Sequence, residues 1–186
     1  LNIMQNKIVF LEGKRIYLRP IDLSDLETLQ RYANDPAVRR YLTNVIPVSK
    51  IDEEAWIKKV MTRGGDVNFA VVLKKNQKLL GTMALMKINY VDGVATTGSM
   101  LGAKEEWNKG YAKEAKMLVL EYAFMTLNLR KICSAAFVNN KGSIKHNLNC
   151  GYKIEGKRIK QFYRDGKYHD EILLAVFKND WLKLKK

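Results

Sequence analysis

The chain has 186 residues, a length that allows one domain with a proper hydrophobic core and no disulfide or metal staples. No stretch approaches the roughly 18 unbroken apolar residues of a membrane helix, and the N-terminal segment lacks the apolar core of a signal peptide. We therefore expect a cytoplasmic protein with no membrane partner. Cys133 and Cys150 lack metal-type spacing with His146 or His169, which favours packed thiols and no metal site.

The formal net charge of +14 invites a nucleic-acid interpretation. Lysine and arginine are scattered through every predicted element, however, without zinc-finger spacing, an RNA-binding strand signature or a basic-zipper pattern. Three explanations stay open: a solvated surface, a patch dedicated to polyanions, or a surface that attracts the phosphates of a cofactor and steers an acidic acceptor. A nucleic-acid-binding protein is the more distant alternative.

The first part of the chain predicts a strand over residues 13–20 and then three helices. The helices are predicted over residues 22–34, 37–42 and 52–63. Asp22 or Ser24 is the candidate N-cap of the first helix, which the Asp35-Pro36 pair ends. The apolar residues expected to pack inward around the third helix are Ile51, Ala55, Trp56 and Val60.

Six further strands are predicted beyond the helices. They cover residues 67–74, 79–90, 94–101, 131–138, 153–163 and 168–177, with a helix over residues 141–149. A helix joins strands 94–101 and 131–138, so these two should pair in parallel through a right-handed crossover. The predicted fold class is α/β, with a mostly antiparallel sheet of about seven strands, one parallel pair, and helices on both faces.

A glycine lies directly ahead of the long amphipathic helix predicted over residues 111–127. The apolar stripe of this helix comprises Ala115, Leu118, Val119, Tyr122 and Ala123. The polar residues outside the stripe are Lys113, Glu114, Lys116 and Glu121. Gly110 allows a ligand to approach the backbone closely, and the amide N–H groups of the first turn attract anions. The segment therefore predicts an anion site suited to a pyrophosphate-bearing cofactor.

Residues 107–112, Trp-Asn-Lys-Gly-Tyr-Ala, resemble the signature of the GNAT acetyltransferases in the form found in their RimJ/RimL-like branch, the ribosomal-protein-alanine type. Residues 140–145 with Cys150-Gly151-Tyr152 resemble the family's later helix and its exit. Residues 164–170 resemble its closing hairpin, and residues 13–20 resemble its first strand. The resemblance covers residues 13–181.

The resemblance implies a GNAT fold in which the parallel strands splay apart and the acyl-carrying pantetheine of acetyl-CoA lies in the gap. A backbone N–H near Met100 or Leu101 would bind the thioester oxygen, and the amides from Gly110 to Lys113 would bind the pyrophosphate. The cofactor-binding residues implied are Met100, Leu101, Trp107, Lys109, Gly110, Tyr111, Ala112, Lys113, Asn140 and Ser143. Two interpretations of Asn140 stay open, a pantetheine contact and a helix cap.

Two positions depart from the family pattern. Many members carry a glutamate base on the fourth strand and a tyrosine acid on the later helix; the matching residues here are Thr96 and Asn147. Neither side chain is a useful acid or base near neutral pH, so water or an acceptor-site group must carry the protons. The candidate groups are Glu105, Glu106, His146 and Asp170.

The sequence thus predicts an acetyl-CoA-dependent N-acetyltransferase that acts by direct attack in a ternary complex. Its acceptor is a primary amine, on a protein N-terminus or a small molecule. The candidate acceptor contacts are Arg39, Arg40, Tyr41 and Trp56. A polycation such as spermidine suits the positive charge poorly, unless an acidic pocket forms around residues 52–54.

Two alternatives remain. The acceptor could be a nucleotide-linked amino sugar, or the chain could be a catalytically silent acyl-CoA-binding module, given Thr96 and Asn147. By analogy with the family we expect a homodimer, and the basic surface suits an acidic protein partner. The domain boundaries predicted are an N-terminal extension over residues 1–12, one domain over residues 13–182 and a basic tail over residues 183–186.

Overall fold

The computed structural model describes residues 8–62 and 64–184. Eight strands form one sheet in the order β1-β2-β3-β4-β5-β6-β8-β7. They are β1 (Leu11–Glu12), β2 (Ile16–Pro20), β3 (Val67–Leu73), β4 (Leu79–Asn89), β5 (Val94–Leu101), β6 (Lys131–Phe137), β7 (Lys153–Arg164) and β8 (Lys167–Phe177). The sequence predicted about seven strands. The additional one is β1, which lies in the predicted extension over residues 1–12 and pairs with β2; residues 1–7 of that extension lie outside the described residues.

The predicted parallel pair is confirmed: β5 and β6 run parallel, whereas all other neighbouring strands of the sheet run antiparallel. The parallel pairing ends where Thr96 lies opposite Cys133. Both strands continue beyond that point, β5 to Leu101 and β6 to Phe137. The two strands therefore part, and the edge of β5 that faces β6 has no strand partner there.

Six α-helices accompany the sheet. They are α1 (Leu26–Asn34), α2 (Pro36–Arg39), α3 (Lys50–Met61), α4 (Tyr111–Glu121), α5 (Lys141–Leu148) and α6 (Lys178–Leu184). Asp22 caps the 3-10 turn that leads into α1, accepting the Ser24 N–H at 2.9 Å. Lys183 of the predicted basic tail lies in α6, which was not predicted, and residues 185 and 186 lie outside the described part. Within that part no helix is long and apolar enough to cross a membrane.

Burial along β3 shows that both faces of the sheet are covered. Every residue from 69 to 73 is buried, although successive side chains of a strand point to opposite faces. Helix α1 contacts β4, and α4 contacts β2 and β4. Trp181 of α6 is fully buried against Phe124, in the π-helical turn that extends α4, with ring centroids 5.4 Å apart. The predicted helices on both faces are confirmed.

The inward face of α3 differs from the prediction. Ile51 is 79% exposed and Ala55 is exposed, whereas Glu53 and Ile57 are buried. Trp56 packs partly buried against the core, as does Val60. Helix α3 packs mainly against α1, and that contact selects a different stripe from the one that apolar spacing indicated. Burial raises the pKa of Glu53 above its ordinary value.

Candidate active site

A cleft opens where β5 and β6 part. Its walls are the diverging strands, the first turn of α4, part of α5 and the loop at residues 41–43. Most of the predicted cofactor residues line it, namely Met100, Leu101, Trp107, Gly110, Tyr111, Ala112, Lys113, Asn140 and Ser143. Lys109 does not line it; its side chain pairs with Glu106 at 2.9 Å. The tertiary structure thus gathers residues from three separate segments into one cavity.

The start of α4 has the geometry of an anion site. Gly110 is the N-cap with a φ of 84°, in the left-handed region that favours glycine, and offers no capping side chain. The first bond of the helix runs from the Glu114 N–H to the Gly110 carbonyl at 3.1 Å. The amides of residues 111–113 precede that bond and face out of the helix end. These donors, with the positive end of the helix dipole, fit a phosphate group.

Arg15 braces this turn from the other side. Its Nη1 donates to the Lys109 carbonyl at 2.8 Å, and its Nε donates to Glu114 Oε2 at 2.8 Å. The Arg15 backbone N–H donates to the same carboxylate at 2.7 Å, and the guanidinium lies 4.6 Å from the centroid of the Tyr111 ring. No local pattern indicated this brace, because Arg15 and Glu114 are 99 residues apart in sequence.

Trp107 and Asn140 fix the two edges of the cleft. The Trp107 indole Nε1 donates to the Leu101 carbonyl at 2.8 Å. This bond ties the turn at residues 107–110, here called the glycine turn, to the end of β5. The Asn140 side chain accepts the Ser143 N–H at 3.0 Å, so it caps α5. Because Asn140 also lines the cleft, the cap and a pantetheine contact are compatible.

Neither residue that matches the family's acid and base positions lines the cleft. Thr97, rather than Thr96, faces it, because neighbouring side chains of a strand point to opposite faces. Asn147 is 1% exposed, and its Oδ1 accepts a hydrogen bond from the Lys116 side chain. Neither side chain is therefore placed on the cleft wall as an acid or a base.

Lys116 lies fully buried on the cleft wall, although the helical spacing placed it outside the apolar stripe of α4. Helical spacing did not indicate this burial, which arises because α5 and Tyr152 cover this side of α4. The Lys116 Nζ donates to Asn147 Oδ1 at 2.7 Å and to Thr97 Oγ1 at 3.2 Å, and lies 5.2 Å from the centroid of the Tyr152 ring. Burial lowers the pKa of Lys116 to about 8, although Cys150 opposes the effect.

The groups around Lys116 supply no carboxylate among the described residues. Burial raises the pKa of the Tyr152 hydroxyl, and that hydroxyl lies 2.9 Å from Thr97 Oγ1. Burial also raises the pKa of the Cys150 thiol to about 11. Burial, followed by the charges of Lys116 and Lys113, lowers the pKa of His146 to about 3. At neutral pH the tyrosine, thiol and imidazole are therefore uncharged.

The other candidate proton carriers are held in ion pairs. Glu105 pairs with Lys78, and Asp170 pairs with Lys157 at 2.9 Å; neither carboxylate lines the cleft. The wall carboxylates are Glu106, which pairs with Lys109, and Glu171, which pairs with Arg158 at 2.8 Å. His146 lines the cleft, and its buried Nε2 has no partner among the described residues. Within the described part of the chain no group of three metal-ligating side chains occurs.

On the acceptor side, Tyr41 lines the cleft, whereas Arg39, Arg40 and Trp56 do not. Arg164 of β7 donates through Nη2 to the carbonyls of Leu42 and Thr43, at 3.2 and 3.0 Å. This contact joins the loop at residues 41–43 to the hairpin of β7 and β8. The sequence did not indicate it.

The acidic residues 52–54 form no pocket at the cleft. Asp52 belongs to the capping box of α3, where it bonds to Ser49, and Glu54 pairs with Lys58 at 2.6 Å. Glu53 is buried, and none of the three lines the cavity.

Comparisons with known proteins agree with this geometry. The family model described as "Acetyltransferase (GNAT) domain" matches residues 15–153. The N-acetyltransferase p20 of Bacillus licheniformis is 27% identical, over 92% of this chain and 97% of its own length. The spermidine N(1)-acetyltransferase of Vibrio cholerae is also 27% identical, over 91% of this chain and 97% of its own length.

A solved structure gives the same result. The spermidine N-acetyltransferase of Vibrio cholerae, crystallised in complex with CoA and spermine, superposes with a TM-score of 0.83 at 25% identity. The match covers 90% of this chain and 98% of that one. The family match, the shared fold and the cleft between parted strands together show that this chain belongs to the GNAT superfamily of N-acetyltransferases.

Proposed function

We propose that this protein transfers the acetyl group of acetyl-CoA to a primary amine by direct attack within a ternary complex. One observation carries the proposal: a single cleft connects an uncapped helix N-terminus to the gap between β5 and β6. The helix N-terminus suits the pyrophosphate of CoA, and the gap between the strands suits its extended pantetheine arm. Holding a thioester and an amine together avoids much of the entropy cost of a bimolecular encounter.

The parted strand also supplies donors for the thioester oxygen. Beyond Thr96 the edge of β5 that faces β6 has no strand partner, so its backbone N–H groups are available to a ligand. The N–H of Leu101, on the cleft wall and on the edge of β5 away from β4, is the proposed donor to the oxygen that becomes negative during attack. The backbone positions this donor before substrate binds.

For the acceptor we propose an amine on a neutral or acidic molecule, such as a protein N-terminus, as in the RimJ/RimL-like branch. The described carboxylates on the cleft wall are Glu106 and Glu171, and both are already paired with basic side chains. A polycation would meet few free carboxylates there, and the formal charge of +14 repels it. Spermidine acetylation by the relatives therefore does not carry over directly.

An acceptor panel tests this proposal. Release of free thiol from acetyl-CoA should be at least about tenfold faster, in kcat/KM, with a peptide of acidic sequence and a free N-terminal amine than with spermidine. The same peptide with a blocked N-terminus is the matched control and should give no release. Faster turnover of spermidine would reverse the acceptor assignment, whereas a nucleotide-linked amino sugar as best substrate would select the sugar alternative.

The brace on the glycine turn gives a second prediction. Replacing Arg15 with methionine removes the two side-chain bonds, from Nη1 to the Lys109 carbonyl and from Nε to Glu114, so the turn loses part of its support and the Kd for CoA should rise about tenfold. The replacement Lys14→Met removes the same charge from an exposed neighbour and should change the Kd less than twofold. Isothermal titration with CoA measures both. Equal losses in the two variants would mean that only bulk charge matters.

A further inference from the structure

Lys116 is a buried cation on the wall of the cleft with no anionic partner among the described residues. Its two hydrogen-bond acceptors are the neutral oxygens of Asn147 and Thr97. The third N–H of the ammonium has no described hydrogen-bond acceptor, and the ring of Tyr152 lies 5.2 Å away. A buried charge is costly unless it is paired, so this arrangement suits a ligand group that carries or develops negative charge.

The position of Lys116 identifies which part of a ligand it would meet. Thr97, to which Lys116 is bonded, is the first residue of β5 beyond the last parallel pair, so Lys116 lies at the inner end of the cleft. Gly110 lines the same cavity at the start of α4, six residues earlier along the chain, or about 9 Å along a helix. With phosphates at Gly110, an arm of CoA that followed the cleft inward would bring its sulfur end towards Lys116.

We propose that the Lys116 ammonium is the general acid that protonates the departing sulfur of CoA. This inference rests on the proposed acetyl transfer. The amine nitrogen bonds to the carbonyl carbon, the C–S bond breaks, and the sulfur takes that electron pair together with a proton from Nζ. The product is the free thiol, the surplus proton of the amide nitrogen passes to solvent, and Lys116 regains a proton from solvent.

The surroundings of Lys116 keep its proton transferable. Burial brings its pKa to about 8, so the ammonium form dominates at neutral pH and yet gives up its proton readily. The titratable groups that face it are His146, Cys150 and Tyr152, all uncharged at neutral pH, and Lys113 on its own helix. Asn147 thus acts as a positioning residue, because it fixes Nζ at 2.7 Å.

Titration of the CoA thiol tests the proposal without any acceptor. Thiolate absorbance should show that the pKa of the thiol of bound CoA lies lower in the wild-type complex than in the Lys116→Met complex, by roughly 1 or more. The replacement Lys59→Met removes an exposed lysine of α3 outside the cleft and should behave as wild type. Identical thiol pKa values in the wild-type and Lys116→Met complexes would overturn the proposal.

Turnover supplies a second readout. Lys116→Met should lower kcat about 100-fold, while the KM for acetyl-CoA stays within about threefold. Since the acid must be protonated, the wild-type kcat should fall as pH rises through about 8, and the variant should lose this alkaline limb. Asn147→Asp places a carboxylate beside Nζ and should shift the limb to higher pH. An unchanged limb in Asn147→Asp argues against Lys116 as the acid, even if Lys116→Met fails to fold.

Three further outcomes are distinct. An acetyl group found on Lys116 by mass spectrometry after incubation with acetyl-CoA would make this lysine a nucleophile and overturn its assignment as the acid. If no acceptor is acetylated but the thiol pKa depends on Lys116, the proposed function fails and the contact with sulfur stands. If wild-type protein does not bind CoA, both fail.

Discussion

Replacing Gly110 with aspartate should weaken CoA binding by about 100-fold or more, or roughly 2.7 kcal/mol. The carboxylate would stand at the start of α4, where the amides of residues 111–113 and the helix dipole otherwise face the phosphates. The carboxylate would accept hydrogen bonds from those amides, and its negative charge would repel the phosphates of the ligand. Isothermal titration with CoA measures the loss, and thermal unfolding checks that the fold persists.

The matched control is Gly110→Asn. Asparagine has nearly the same size as aspartate and tolerates the left-handed region that the φ of 84° demands, but it carries no charge. Its added Cβ would lie 3.2 Å from Arg15 Nη2, a contact that a flexible side chain relieves. We expect it to weaken binding about tenfold at most. Normal CoA binding by Gly110→Asp would show that the turn at Gly110 does not bind the phosphates of CoA.

Replacing Gly102 with alanine should destabilise the protein by about 3 kcal/mol, a fall in Tm of roughly 10 °C. An added Cβ would lie 1.9 Å from Cγ of Tyr32 and 2.3 Å from its Cβ, so the ring or the chain must move. Tyr32 is buried, and its hydroxyl is bonded to the Leu79 carbonyl at 2.9 Å, which leaves the ring little freedom.

The comparison for Gly102→Ala is Gly64→Ala. No atom lies within 4 Å of a Cβ added at Gly64, so that change should be neutral or slightly stabilising. Gly102 follows β5 directly and leads into the glycine turn, so Gly102→Ala should also weaken CoA binding. A Tm for Gly102→Ala within 2 °C of wild type would show that Tyr32 adapts without cost.

Local sequence patterns predicted the elements that form the proposed cofactor site. The glycine before a 3.6-residue repeat indicated α4 and its anion site, and a helix between two apolar strands indicated the parallel pair. These features depend on short-range geometry, which a sequence displays directly. Apolar spacing was wrong for Ile51 and Ala55 of α3, because the choice of inward face depended on contact with α1.

The sequence by itself therefore determined the fold class, the family resemblance and the glycine and helix at the end of the cleft where we propose that CoA binds. Only the tertiary structure decided the burial of Lys116 and its bonds to Thr97 and Asn147 at the inner end of the cleft, and the brace from Arg15 to Glu114 at the start of α4. For a lysine on the polar side of an amphipathic helix, helical spacing predicts exposure to solvent, and only the packing of another element can bury it. Here α5 and Tyr152, which lie more than 20 residues further along the chain, cover Lys116, so its environment depends on long-range packing that no local period records.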